Sequence, residues 1–160
     1  MPDPRVRRIR PEDVDAVVEL VYALAEYERA LPECHLTAPQ LHTALFGEAP
    51  ALFGHVAEVD GAVAGFTLWF LNFSTWRDTH GIYLEDLYVR EDQRGSGLGK
   101  VLLATLAAEC VAKGYHRLEW SVLDWNPAVG FYRALGAQPQ DEWTVHRLTD
   151  EPLHALAKEA

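Results

Sequence analysis

Cysteine is scarce in this chain. Only Cys34 and Cys110 occur among the 160 residues, far apart and with no Cys-x-x-Cys pair. That excludes a disulfide framework and a thiolate zinc site, and the seven histidines show no paired ligand spacing, so reduced structural thiols and no metal are expected. No apolar run comes near the roughly 18 residues of a membrane span, and Met1-Pro-Asp-Pro-Arg5 has no apolar signal-peptide segment. A cytoplasmic protein is expected, without a membrane partner. Positive charge is the minority sign: 14 Lys and Arg stand against 24 Asp and Glu, a net charge of −10. This balance disfavours nucleic acid and acidic membrane surfaces and mildly favours cationic partners. Repeats, linkers and low-complexity segments are missing too, so residues 1–160 are read as a single domain. With 49% hydrophobic residues, a chain of this length can bury about two thirds of its unfolded surface.

What is present centres on residues 82–100. Ile82 to Val89 is rich in β-branched and aromatic residues, and Leu98, Leu102, Leu106 and Cys110 then recur four apart on one helical face. Between them stand Gly95, Gly97 and Gly99. Strand, glycine turn and helix together make a place where backbone N–H groups converge at the positive end of a helix dipole, an anion cradle most often used for phosphate. The spacing matches neither the Gly-x-x-x-x-Gly-Lys-Ser/Thr loop nor the dinucleotide Gly-x-Gly-x-x-Gly. It reads instead as Arg-x-x-Gly-x-Gly, with Arg94, Gly97 and Gly99.

The remaining elements follow in order. Arg5 to Arg10 is a short strand. Pro11-Glu-Asp13 opens a helix carried by Val14, Val17, Val18, Val21, Leu24 and Ala25 to about Arg29, and Thr37 caps a second, shorter helix to Phe46. Ala51–Val59 and Ala62–Asn72 form an antiparallel pair across Asp60-Gly61. Phe73 to Gly81 reads as a polar loop, and His116 to Leu123 as a strand after the cap at Gly114. Asn126 caps a short helix with Pro127 at its first position, running to Leu135. A strand near Trp143–Leu148 and a helix near Glu151–Lys158 complete the chain.

The Arg-x-x-Gly-x-Gly loop and the order βαα-βββ-αβ-αβ resemble the GCN5-related N-acetyltransferases. Within that superfamily four pieces are similar to the diamine branch, the spermidine/spermine and thialysine acetyltransferases: Leu24-Ala-Glu-Tyr-Glu28, Tyr83-Leu-Glu-Asp86, Val122-Leu-Asp-Trp-Asn126 and Phe131-Tyr-Arg-Ala-Leu-Gly-Ala137. The second pair of pieces looks more like the thialysine branch. One departure stands out: Asn126 and Tyr132 are six apart, where these relatives usually have seven. One missing residue turns a helix by about 100° unless the cap absorbs it, and Pro127 is where absorption is expected.

The resemblance implies an α/β fold whose mixed, mostly antiparallel sheet is splayed between its fourth and fifth strands, with helices on both faces. It implies acetyl-CoA as cofactor, held by Arg94, Gly95, Ser96, Gly97, Leu98, Gly99, Lys100, Asn126, Tyr132 and Arg133 and by the backbone of Leu87, Tyr88 and Val89. A homodimer is implied as well. An alkylamine with a pKa near 10.4 is free base in only about one molecule in two thousand at pH 7, so a carboxylate must bind and deprotonate it. Glu85 is the expected general base, through a water, and Tyr132 the proton donor to the departing thiolate. Asp86 points to the opposite face under strict alternation and joins the substrate only if the strand is bulged. Tyr27, Glu28, Trp76 and Trp143 are expected around a small primary amine that carries a second charged group, with Arg77 near the tunnel mouth as the obvious partner for an acceptor carboxylate. An acyl-CoA-binding regulatory module and a protein lysine or N-terminal acetyltransferase are the alternatives.

Overall fold

The computed structural model describes residues 1–160, which divide into two units, Met1–Leu123 and Asp124–Ala160. In the first, a five-stranded sheet runs in the order β1 (Val6–Arg8), β2 (Phe53–Val59), β3 (Ala62–Ser74), β4 (Thr79–Val89) and β5 (Leu118–Trp120). All neighbours are antiparallel except β4 and β5. The connection between those two parallel strands is helix α3 (Leu98–Lys113), as a parallel crossover requires.

The two faces are covered by different helices. Helix α1 (Val14–Tyr27) and helix α2 (Ala38–Phe46) bury Val17, Leu20, Leu24, Leu41 and Leu45 against Val56, Phe66 and Leu68. Helix α3 buries Leu98 and Leu102 against Ala57 and Ala64 on the other face. The α1 and α2 boundaries follow from chemistry visible in the sequence. A single turn at Pro11–Asp13 leads into α1, with proline at its start. Thr37 accepts from Gln40 N while the Gln40 side chain returns to Thr37 N, a capping box. Gly114, at φ 72°, ends α3 in the left-handed region.

Three expectations change on contact with the structure. Phe73 and Ser74 continue β3, and Thr79 to Gly81 begin β4, because Phe73 pairs with His80 and Ser74 with Thr79. Ladder pairing there overrides polar composition, and only residues 75–78 form the turn. The fifth strand keeps just Leu118–Trp120 of His116–Leu123, since its partners are limited to Ile82, Tyr83 and Leu84. In the second unit, helices α4 (Ala128–Ala134) and α5 (Asp150–Ala157) form, but Trp143–Leu148 does not become a strand. Its alternating residues find no ladder partner, and a lone strand is not stable.

On the α3 face, His55 is buried and accepts at Nδ1 from the Trp69 indole Nε1–H at 3.3 Å. Burial, with Arg8 nearby, pushes its imidazole down from 6.5 to about 4. The unfolded imidazole protonates near 6.5 and the folded one near 4, so the stabilisation is complete above pH 6.5 and declines as pH falls through this window. The loss amounts to about 3 kcal/mol. Chemical denaturation between pH 7 and 4 is expected to show this decline, and H55Q to flatten it.

Candidate active site

The site grows from an irregularity in β4. Trp69 pairs with Leu84 and Leu68 with Asp86, so Glu85 is an extra residue against one step of β3. Such a bulge resets the alternation of side chains. Before it, Leu84 shares a face with Trp69; after it, Asp86 shares a face with Leu68, which lies against α1. Asp86 is therefore not on the opposite face from Glu85, as strict alternation implies, but beside it. The bulge is the physical reason.

The third member comes from the end of α1. The Ala30 N–H bonds the Ala25 carbonyl and the Arg29 N–H that of Glu26, with Arg29 at φ 61°, a Schellman ending that presents Tyr27 and Glu28. Burial first, then Glu85 and Glu28, pushes the Asp86 carboxyl up from 3.8 to about 7. Burial first, then Glu85, also raises Glu28. Neither shift contains a compensating cation. Glu28 further sits at the negative end of the α1 dipole. Three acidic side chains are thus held together without a cation from the protein to balance them.

Beside this cluster the strand loses a neighbour. Pairing between β4 and β5 ends at Leu84 and Trp120, so Glu85 to Val89, including Leu87 and Tyr88, have no strand on that side. The backbone then passes through a single turn at Glu91–Gln93 into the glycine loop. Gly95 at φ 82° and Gly97 at φ 80° need the left-handed region that only glycine enters freely. Ser96 Oγ donates to the Gln93 carbonyl at 2.6 Å, and Gly97 caps α3. A Cβ added at Gly95, Gly97 or Gly99 would meet no protein atom within 4 Å. The loop faces open space at a helix N-terminus, which fits the phosphates of coenzyme A. Leu98 is the exception among the expected cofactor residues. Its side chain is buried in the core, so only its backbone can face a ligand, whereas Lys100 is exposed.

Arg94 is placed differently from an arginine reaching only into solvent. Its guanidinium lies 5.1 Å from the centroid of the Tyr27 ring and 5.3 Å from that of Tyr88, and Nε donates to the Val89 carbonyl at 3.2 Å. An open cleft of about 420 Å³ lies alongside, lined by Leu20, Ala23, Tyr88, Arg90, Glu91 and Asp92.

Trp76 stands in the turn between β3 and β4, 87% exposed. About 20 Å of β4 separates that turn from the bulge. Within one chain it is not brought to the carboxylates, and neither is Arg77 beside it. The polar loop expected there hid this, because its true length is four residues. In the second unit, the Asn126 side chain accepts from Ala128 N at 2.9 Å, and Pro127 rather than Asn126 is the residue that directly precedes α4. Tyr132 is half-buried with its ring 5.5 Å from that of Phe131, Arg133 is exposed, and Trp143 is exposed on the extended segment.

Two stability measurements test the geometry without any ligand. A carboxyl whose pKa rises on folding stabilises fully below its unfolded value and loses that contribution as pH climbs through the folded one. D86N is therefore expected to melt several degrees above the parent at pH 8 and to lose the advantage near pH 4. G99D places an acid in the first turn of α3, favourable to the helix dipole, in space the protein leaves open. It should retain or raise the melting temperature, while repelling an anionic ligand at least tenfold in calorimetry with coenzyme A.

Comparison with known proteins agrees with this architecture. The profile of the Acetyltransferase (GNAT) family matches residues 20–137. The chain is 44% identical over 97 residues to an L-ornithine N5-acetyltransferase of Arabidopsis thaliana, covering 60% of this chain and 42% of that protein. It is 39% identical over 99 residues to a thialysine N-epsilon-acetyltransferase of Bos taurus, covering 59% and 58%. The chain thus matches about half the length of these curated relatives. Among solved structures, an integron cassette protein from the mobile metagenome of V. cholerae aligns over 96% of both chains with a TM-score of 0.79 and 25% identity. An aminoglycoside acetyltransferase from a soil metagenome, at 18% identity, covers 91% of this chain and 94% of that one with a TM-score of 0.73 and speaks for the fold alone. With a family profile spanning the end of α1, the bulged strand, the glycine loop and Tyr132, this chain belongs to the Acetyltransferase (GNAT) family.

Proposed function

We propose that the protein transfers an acetyl group from acetyl-CoA to a primary amine of a small acceptor that carries a second charged group, a diamine, a polyamine or an ornithine- or lysine-like amino acid. The observation that carries this reading is the uncompensated cluster of Glu28, Glu85 and Asp86. Burial and mutual repulsion lift Asp86 to about 7 and Glu28 above its usual range, and a cationic acceptor supplies the missing charge. The named activities of the curated relatives, on ornithine and on thialysine, support an acceptor of this chemistry. In this reading residues 1–160 act as one acetyltransferase domain in the cytoplasm, as a homodimer. No helix is long and apolar enough to cross a membrane.

The roles follow from proton accounting. Acetyl-CoA, when bound, supplies the thioester carbonyl that the amine attacks. Glu85, exposed at the bulge, draws the proton from the ammonium through a water. Asp86, poised near neutrality, is matched to hold that proton at the operating pH. The unpaired edge of β4 from Leu87 to Val89 offers backbone N–H groups to the acetyl oxygen and the pantetheine amides. In the same reading Tyr132 is the proton donor to the departing sulfur and Arg133 a partner for the phosphates. Gly95 to Gly99 receive the pyrophosphate at the positive end of α3.

Thiol release from acetyl-CoA should be measured across putrescine, spermidine, ornithine, lysine, thialysine and lysyl peptides. Turnover is expected with the small amines. Turnover on lysyl peptides alone would overturn the acceptor class, and coenzyme A binding with no turnover on any amine would leave a binding module. For the active amine, E28Q should raise KM roughly tenfold, since one ionic contact is worth about 1 to 2 kcal/mol. Y132F should lower kcat by about 10²- to 10⁴-fold with acetyl-CoA affinity nearly intact.

A further inference from the structure

Arg94 touches the three elements that the proposed reaction needs to bring together. Its own backbone begins the glycine loop. Its guanidinium sits over Tyr27, the last residue of α1, and over Tyr88 near the end of β4. Its Nε is fixed to the Val89 carbonyl. Tyr27 immediately precedes Glu28, and Tyr88 follows Asp86 on the same face of the strand. Both rings that flank the guanidinium are therefore covalently next to, or one pleat away from, members of the carboxylate cluster.

The arrangement is not a salt bridge to that cluster. What the contact supplies is position. A guanidinium is planar and lies flat on an aromatic face, which an ammonium cannot do in the same way. With its central carbon over two rings at once, 5.1 and 5.3 Å from their centroids, it ties the start of the loop to the end of α1.

We propose that Arg94 is a positioning residue: by stacking on Tyr27 and Tyr88 it couples the order of the glycine loop to the order of the amine-binding wall. Seating an anion in the loop then tightens the amine site, and, because coupling free energies are reciprocal, seating the amine tightens the loop by the same factor. This rests on the functional reading above for the identity of the two ligands, but not for the contact itself. For a stack at the protein surface the expected coupling is about fivefold.

The test compares the full-length parent with Y27F, Y27L and R94K. Y27F keeps the ring, Y27L removes it, and R94K keeps the charge while removing the plane. Amide hydrogen exchange of Gly95 to Gly99 is read without ligand, and coenzyme A is titrated by calorimetry with and without saturating ornithine. Y27F, which keeps the ring under the guanidinium, is expected to exchange the loop amides more slowly than Y27L. Y27L and R94K are expected to exchange the loop amides about fivefold faster, to bind coenzyme A about fivefold more weakly, and to lose the dependence of that affinity on ornithine. Tyr27 is not part of the glycine loop, so loss of affinity in Y27L is an effect a phosphate ligand alone does not produce. Thermal melting confirms that each variant is folded, and if Y27L is not, R94K carries the comparison. Loop exchange in Y27L and R94K equal to the parent overturns the proposal. If the parent binds no coenzyme A, the functional reading falls while the exchange data still decide the contact.

Discussion

One extra residue in β4 governs the chemistry of the site. Without the bulge at Glu85, Asp86 would turn toward α3, and the α1 face would present a single carboxylate. With it, two consecutive acids share one face and meet a third at the end of α1. The cost is borne electrostatically: burying acids beside one another opposes folding at the pH where they are charged. The rest of the first unit holds that arrangement in place. Phe66 and Leu68 pin the face from below, Leu20 and Leu24 carry α1 across it, and the Schellman ending sets where Glu28 emerges.

The second constraint is the early end of β5. Three paired residues attach it to β4, and beyond Leu84 the strand edge is left for other partners. The same strand therefore presents carboxylate side chains and an unpaired backbone edge side by side, while its continuation delivers the glycine loop to the head of α3. A parallel neighbour that continued further would satisfy those backbone groups and close the gap. Shortness is what makes β5 useful here.

Much of this was legible beforehand, for local reasons. Pro11, Thr37 with Gln40, Asp60-Gly61, Gly97 and Gly114 act on their own neighbours, so the first two helices, the hairpin and the limits of α3 could be placed from residues alone. The glycine loop was legible for the same reason. What escaped is non-local. The face of Asp86 depends on how two strands register, the true length of the β3–β4 hairpin on pairs such as Phe73 with His80, and the fate of Trp143–Leu148 on whether a partner strand exists. The Arg94 motif is read along the chain, whereas its contacts with Tyr27 and Tyr88 cross it. The place of Trp76 likewise depends on pairs across the hairpin, which set it in a four-residue turn.

The raised carboxyl of Asp86 makes the carboxylate cluster a proton exchanger near neutrality. Near neutrality that group is divided between its acid and its anion, so under the proposed function an ammonium docking there drives off a fraction of a proton to the buffer. Observed affinity then varies with acidity even where the ligand's own charge is constant, and the heat of association carries the ionisation enthalpy of whatever buffer is present. The strand register thereby sets a thermodynamic link between local acidity and occupancy, before any bond is made or broken.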